Sequence, residues 1–223
     1  MSDLAIYDMD RTVTRRPTYT PFLIHCALRR APWRLLLLPL VLLSMLAYVL
    51  RAISRARLKE INQALLLGTA IHPRDLRPLV DSFAESTIGG NLRPGALEAM
   101  ARDRSEGRQL VLATASYRLY ADAIAGRLGF DHVIATGSII GLDERVRAKI
   151  DGENCYGEAK MRMISDWVDR SGLTGRHGHV RFYSDHASDQ PVFEWANEAV
   201  AVNPHGRLRR LAEKRGWLIE DWG

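Results

Sequence analysis

The stretch Leu4-Ala5-Ile6-Tyr7-Asp8-Met9-Asp10-Arg11-Thr12 opens with four apolar residues in succession, the pattern of a strand buried on both faces, and runs directly into two acids two positions apart. If the backbone turns just after Tyr7, both carboxylates face one cleft. A D-x-D pair alone carries little weight, because surface turns are rich in Asp. Its meaning depends on what the rest of the chain places beside it.

Further strand-like runs recur at 109–113, 133–135, 180–183 and 199–202. Amphipathic helical stretches at 93–106, 117–128, 158–170 and 189–197 lie between most of them. This alternation predicts an α/β fold, a Rossmann-like three-layer sandwich around a mainly parallel sheet. Ligands of such sheets bind beyond the carboxyl ends of the strands. The interval 14–91 breaks the alternation, being long, helical in composition and poor in strands. A chain of 223 residues can bury one sizeable core and still carry an inserted subdomain. Residues 1–13 and 92–223 are therefore expected to form the core, and 14–91 a helical cap inserted after the first strand. Within 137–150 the run SIIGLDERVRAKI, interrupted by Gly141, predicts a small hairpin beside the sheet.

Other polar residues stand where strands should end or helices begin. Thr114, followed by Ala115 and Ser116, comes right after the second strand, where a hydroxyl can hold a phosphoryl oxygen, although strand-ending threonines are ordinary. Lys160 lies at the start of a helix and reads equally as a solvated lysine. Asp185 and Asp189 follow the 180–183 strand, and acids four apart either bind a hard cation or cap the next helix.

Taken together and in this order, D-x-D-x-T at Asp8 to Thr12, then Thr114, Lys160 and the pair Asp185 and Asp189, resemble the signatures of the haloacid dehalogenase superfamily phosphatases. The long insertion after the first motif is similar to the helical cap of subfamily IB, the subgroup containing phosphoserine phosphatases. The resemblance implies a phosphoric monoester hydrolase that uses Mg2+. It makes Asp8 a nucleophile that becomes transiently phosphorylated and Asp10 the general acid and base, with Thr114 and Lys160 holding the phosphoryl oxygens. Asp8, Asp10 through its carbonyl, and Asp185 are the implied magnesium ligands, while Asp189 orients the metal's waters or Lys160. The chemistry accounts for these residue types: a carboxylate attacking a phosphate needs cations to neutralise the charge that develops. Arg11 departs from the pattern, since a small residue commonly follows the second Asp in this family.

The net charge is unevenly spread. Residues 14–59 hold nine basic residues and no acid, so +9 there against +5 in total leaves −4 for the remainder. Nucleic-acid binders usually interleave such charges with polar and aromatic residues, whereas here arginines flank the apolar run LLLLPLVLLSMLAYVL at 35–50. No nucleic-acid partner is expected. An anionic membrane surface suits the arrangement better, with the run forming an interfacially embedded hairpin kinked at Pro39. A single membrane crossing would separate Asp8 from Thr114, Lys160 and Asp185. The alternative is that 35–50 makes the cap's own buried core. The flanked leucine run, Tyr183-Ser184-Asp185 and Asn203-Pro204-His205-Gly206-Arg207-Leu208 also resemble the phosphatidylglycerophosphatase C family, which implies a lipid phosphate substrate. A soluble metabolite phosphatase and a silent membrane-binding module on the same fold remain the competing readings. With no charged and apolar leader at its N-terminus, the chain is expected to be cytoplasmic, peripheral or re-entrant at the inner face of the cell membrane. Cys26 and Cys155 show no metal-ligand spacing and read as reduced, buried thiols.

Overall fold

The computed structural model of the chain describes residues 3–173 and 178–223. Its strands are β1 (Leu4–Tyr7), β2 (Ala70–Ile71), β3 (Gln109–Tyr117), β4 (His132–Ile140), β5 (Val146–Asp151), β6 (Val180–Ser184), β7 (Glu198–Val202) and β8 (Leu218–Glu220). Its α-helices are α1 (Tyr19–Arg30), α2 (Leu38–Val49), α3 (Arg55–Leu66), α4 (Pro73–Gly90), α5 (Pro94–Ser105), α6 (Arg118–Leu128), α7 (Glu158–Ser171), α8 (Gln190–Trp195) and α9 (Gly206–Arg215). The strands form one sheet in the order β2-β5-β4-β3-β1-β6-β7-β8. All pairings from β4 to β8 are parallel, and only β5 and β2 at one edge run antiparallel.

Strict alternation along the central strands builds two apolar layers, as period-2 side-chain geometry requires. Leu4, Ile6, Val111, Ala113 and Phe182 face one side, where Ile164, Val192, Phe193 and Leu208 of α7, α8 and α9 cover them. Ala5, Tyr7, Leu110, Leu112 and Tyr183 face the other side, under α5 and α6. Phe22, Leu23 and Cys26 of α1 and Phe83 of α4 join this second core. The inserted helices therefore share a core with the sheet instead of forming one of their own. The insertion leaves and re-enters at a single point: Thr14 and Leu92 form an antiparallel bridge, with Arg15 N donating to Asn91 O at 2.8 Å.

Several boundaries differ from the expected ones. The second strand continues past Ala113 to Tyr117, with its register against β4 shifting between Thr114 and Tyr117. Such a bulge re-aims side chains next to a site. The hairpin predicted within 137–150 is real, but it extends β4 without a break, so it belongs to the sheet. Pro39 does not kink a continuous helix. A 3-10 turn over Pro32–Leu37 precedes α2, and Pro39 occupies the first turn of α2, where its missing N–H costs nothing.

The apolar run does not form the cap core. Only Val41 and Ser44 of α2 are buried, with Ser44 Oγ donating to Asn62 Oδ1 of α3 at 2.7 Å. Leu40, Leu42, Leu43, Leu46 and Val49 are between 48% and 71% exposed, and Leu36 is 80% exposed. Pro32–Val49 is also long and apolar enough to cross a membrane by length and composition.

Candidate active site

β1 lies at the centre of the sheet between β3 and β6, where the chain's connections diverge to opposite edges, so its carboxyl end opens into a crevice. Asp8 follows it directly, its N–H donating to Tyr183 O at 2.9 Å. The chain then turns through Met9–Val13, and Arg11 adopts a left-handed φ of +66°, a conformation that glycine fills at least cost. The Arg11 carbonyl accepts from Arg93 Nε at 3.0 Å, and its exposed side chain stands at the cavity mouth.

Two further strands, β3 and β6, and the start of α7 deliver the remaining groups. Asp8, Asp10, Thr114, Lys160, Asp185 and Asp189, the six residues singled out in the sequence, all line one cavity of about 340 Å³. Lys160 comes from the first turn of α7, which begins after Gly157, whose φ of +57° only glycine adopts freely. Its Nζ donates to Asp8 Oδ1 and to Asp189 Oδ2, both at 2.7 Å. Ser184 Oγ donates to the same Asp189 oxygen at 2.8 Å. Thr12, fully buried, links the two other acids: its hydroxyl lies 3.2 Å from Asp185 Oδ1 and 3.5 Å from Asp8 Oδ2, and accepts from Asp185 N at 3.0 Å.

Asp10 is held apart from this cluster. Thr18 N and Thr18 Oγ donate to its Oδ1 at 2.8 and 2.7 Å, and Ser116 Oγ donates to its Oδ2 at 2.8 Å. Tyr120 OH donates in turn to Ser116 Oγ at 2.8 Å. These donors on two sides fix the orientation of the Asp10 carboxylate. Thr18 and Ser116 were not legible as partners of Asp10, because each reaches it only through the turn of the insertion and the bulge of β3.

The electrostatics are those of an acid-rich cleft. Burial pushes the Asp8 carboxyl up to about 7; Lys160 pulls it back, while Asp189 and Asp185 add to the rise. Lys160 loses hydration as well, yet Asp189 and Asp8 outweigh that loss and hold its ammonium above the ordinary lysine range. Asp185 is raised by burial, against His186 and Thr12. Two carboxylates, Asp8 and Asp189, thus pair with one ammonium while Asp185 adds a third negative charge nearby, and the buried Asp189 Oδ1 has no partner among the described residues. No three His, Cys, Asp or Glu side chains converge as a metal cage among the described residues. The residues nonetheless fit a hard divalent cation: the donors are all oxygen, the excess charge is negative, and Asp8 and Asp185 share Thr12. The family resemblance adds the Asp10 carbonyl to this set, while Thr18 and Ser116 hold its carboxylate.

The haloacid dehalogenase-like hydrolase family matches residues 5–194, a span that includes every one of these groups. The chain belongs to this family. Relatives include phosphoserine phosphatase SerB1 of Mycobacterium tuberculosis, 30% identical over 66% of this chain and 47% of that protein. A probable phosphatase of the same organism is 34% identical over 65% of this chain and 49% of its own length. The chain spans about half the length of these two curated relatives. Among solved structures, a Bordetella pertussis protein of unknown function superposes with a TM-score of 0.89 at 25% identity, covering 100% of both chains. A substrate-bound phosphoserine phosphatase superposes with a TM-score of 0.65 at 15% identity over 100% of this chain and 94% of that one, a likeness of fold.

The family's cavity is here walled by residues that no motif announced. Arg55, at the start of α3, lines it with its guanidinium 4.0 Å over the Tyr156 ring. Lys59 is buried, donating to the Ala115 carbonyl and, at 2.8 Å, to Asn154 Oδ1. The basic block is therefore not one surface. Arg30 and Arg34 donate to the carbonyls of Leu67, Ala64 and Leu65 at the end of α3, where cations complement the helix dipole. His186 caps the turn that follows it, accepting from Ser188 N at 3.1 Å, and behaves as a loop residue at the cavity wall. Cys26 and Cys155 are buried free thiols, both pushed up to about 12 by burial.

Proposed function

We propose that the protein hydrolyses a phosphate monoester carried by a membrane lipid, such as phosphatidylglycerol phosphate, through a phosphorylated Asp8. An Asp8 carboxylate oxygen forms a bond to phosphorus as the phosphorus–oxygen bond to the alcohol breaks, and Asp10 gives its proton to the departing oxygen. Asp10 then takes a proton from the water that attacks phosphorus, releasing inorganic phosphate and restoring Asp8. Lys160 and Thr114 hold the phosphoryl oxygens throughout. Mg2+, held by Asp8, the Asp10 carbonyl and Asp185, would neutralise charge on the phosphoryl group.

The observation that carries the lipid reading is the exposed leucine face of α2 on the same insertion that walls the cavity, a patch of the kind that marks membrane or partner contact. The resemblance of the leucine run and of Asn203 to Leu208 to the phosphatidylglycerophosphatase C family agrees with this reading, on which the enzyme works peripherally or re-entrantly at the inner face of the cell membrane. Relatives that include a phosphoserine phosphatase favour a second reading, a soluble phosphomonoester such as phosphoserine. Phosphate release by purified protein with Mg2+ separates the two. Faster turnover of phosphatidylglycerol phosphate in anionic vesicles than of phosphoserine is expected. Turnover of phosphoserine alone, with no adsorption to vesicles, replaces the first reading by the second.

A further inference from the structure

A second groove, of about 240 Å³, opens off the catalytic cavity and shares Asp10 and Arg55 with it. Tyr19 and Thr20 of α1 also line both, and the part that belongs to the groove alone is walled by Met45 and Tyr48 of α2 and by Leu58 and Asn62 of α3. Lys59 also borders it, but its ammonium is spent on Ala115 and Asn154 and lies 4.4 Å from the centre of the Tyr117 ring. The groove is thus polar where it meets Asp10 and apolar where it meets α2. The direction matters chemically. Asp10 is the group that protonates the departing oxygen, so the leaving alcohol has to extend from the Asp10 side of the cavity, and this groove is what lies there.

We infer that this groove is a binding subsite for the apolar chain of the leaving alcohol, with Met45 and Tyr48 limiting the length it accepts. The inference rests on the phosphomonoesterase reading of the adjoining cavity and requires no membrane. The occupant is an unbranched alkyl or acyl segment: the groove begins at the reacting groups, and it ends at α2, whose opposite face carries the exposed Leu42, Leu43 and Leu46. A chain longer than the groove would emerge beside apolar surface.

The test uses linear alkyl monophosphates from ethyl to octyl, each below its micelle concentration, with the full chain and Mg2+. Burying successive methylenes should raise kcat/KM about fourfold per carbon until the groove is full. Met45→Trp should flatten that rise, and Tyr48→Ala should carry it to longer chains. The readout is the octyl-to-ethyl ratio, which loss of folded protein leaves untouched. A wild-type ratio near one, with turnover present, overturns the subsite and spares the phosphatase. A rise that neither variant alters places the chain elsewhere and also overturns it. No turnover of ethyl phosphate, phosphoserine or p-nitrophenyl phosphate removes the phosphatase reading and the subsite together.

Discussion

Each acid in the cavity is distinguished from its neighbours by what it touches. Asp8 is paired with Lys160, Asp10 with the hydroxyls of Thr18 and Ser116, and Asp185 with Thr12. On the proposed covalent route Asp8→Asn removes the nucleophile while keeping its shape, and phosphate release should fall to background; full activity in that variant contradicts the route. Asp10→Asn cannot transfer a proton, so both the departure of the alcohol and hydrolysis of the phosphorylated enzyme should slow, by roughly 100-fold or more. Rapid quench of that variant should show which of the two steps limits. For Asp185→Ala the expected result is a higher Mg2+ requirement or complete loss, read from a magnesium titration of the rate. An unchanged titration curve would remove Asp185 from the cation site.

Two helices carry predictions that no single residue expresses. The exposed leucines of α2 should mediate adsorption to membranes, so changing Leu42, Leu43 and Leu46 to Gln should abolish flotation with anionic liposomes. Arg55 is unsuitable for such a test because it walls the cavity, whereas Arg51 and Arg57 are exposed and lie outside it. Arg51→Gln with Arg57→Gln should weaken flotation on anionic liposomes and spare that on neutral ones, since each such charge contributes about 1 kcal/mol near an anionic leaflet. In α3, burial pushes Lys59 down to about 7, helped by Arg55 and opposed by Asp10 and Cys155. Between pH 7 and the ordinary lysine range, the unfolded chain therefore holds a proton that the folded chain has released. Stability relative to Lys59→Met should rise with pH across that window, by about 1.4 kcal/mol per pH unit at most. Below pH 7 both states are protonated and the difference should level off. Urea unfolding of both proteins at pH 6, 7, 8 and 9 reads this directly, and a difference that ignores pH would show that Lys59 keeps its hydration.

At the scale of the whole molecule, the cavity gathers Asp8, Asp185 and Asp189 near a single lysine that pairs with two of them, and the uncompensated repulsion opposes folding. A cation bound there binds only the folded chain. At a hundredfold excess over its Kd, Mg2+ should add about 2.7 kcal/mol of stability, a rise in Tm of roughly 5–10 °C for a domain of this size. Thermal unfolding in chelator and in Mg2+ checks this without reference to activity. Chelation should also stop turnover and Mg2+ restore it, and equal melting in the two conditions would argue against a cation at Asp8 and Asp185.

The sequence by itself determined the α/β order, the parallel central sheet and the identity of the six cavity residues. Those features are written in local patterns: apolar runs of strand length, each followed by one polar residue of a specific type. Residues 4–7 read as a strand because both faces of β1 are covered, which demands four apolar residues in succession. The partners of those residues were decided only in three dimensions. Thr18 meets Asp10 across eight positions of turn, Ser116 meets it across 106, and Lys59 reaches Ala115 and Asn154 from another layer. The fate of the basic block was equally hidden, since a charge count does not distinguish Arg34 capping a helix end from Arg51 in solvent. The apolar run shows the same division. Its composition allowed either a buried core or an exposed face, and what decided between them was that α1, α4 and α6 already fill the apolar layer over the sheet, leaving α2 to pack chiefly on α3 through one face with Val41 and Ser44.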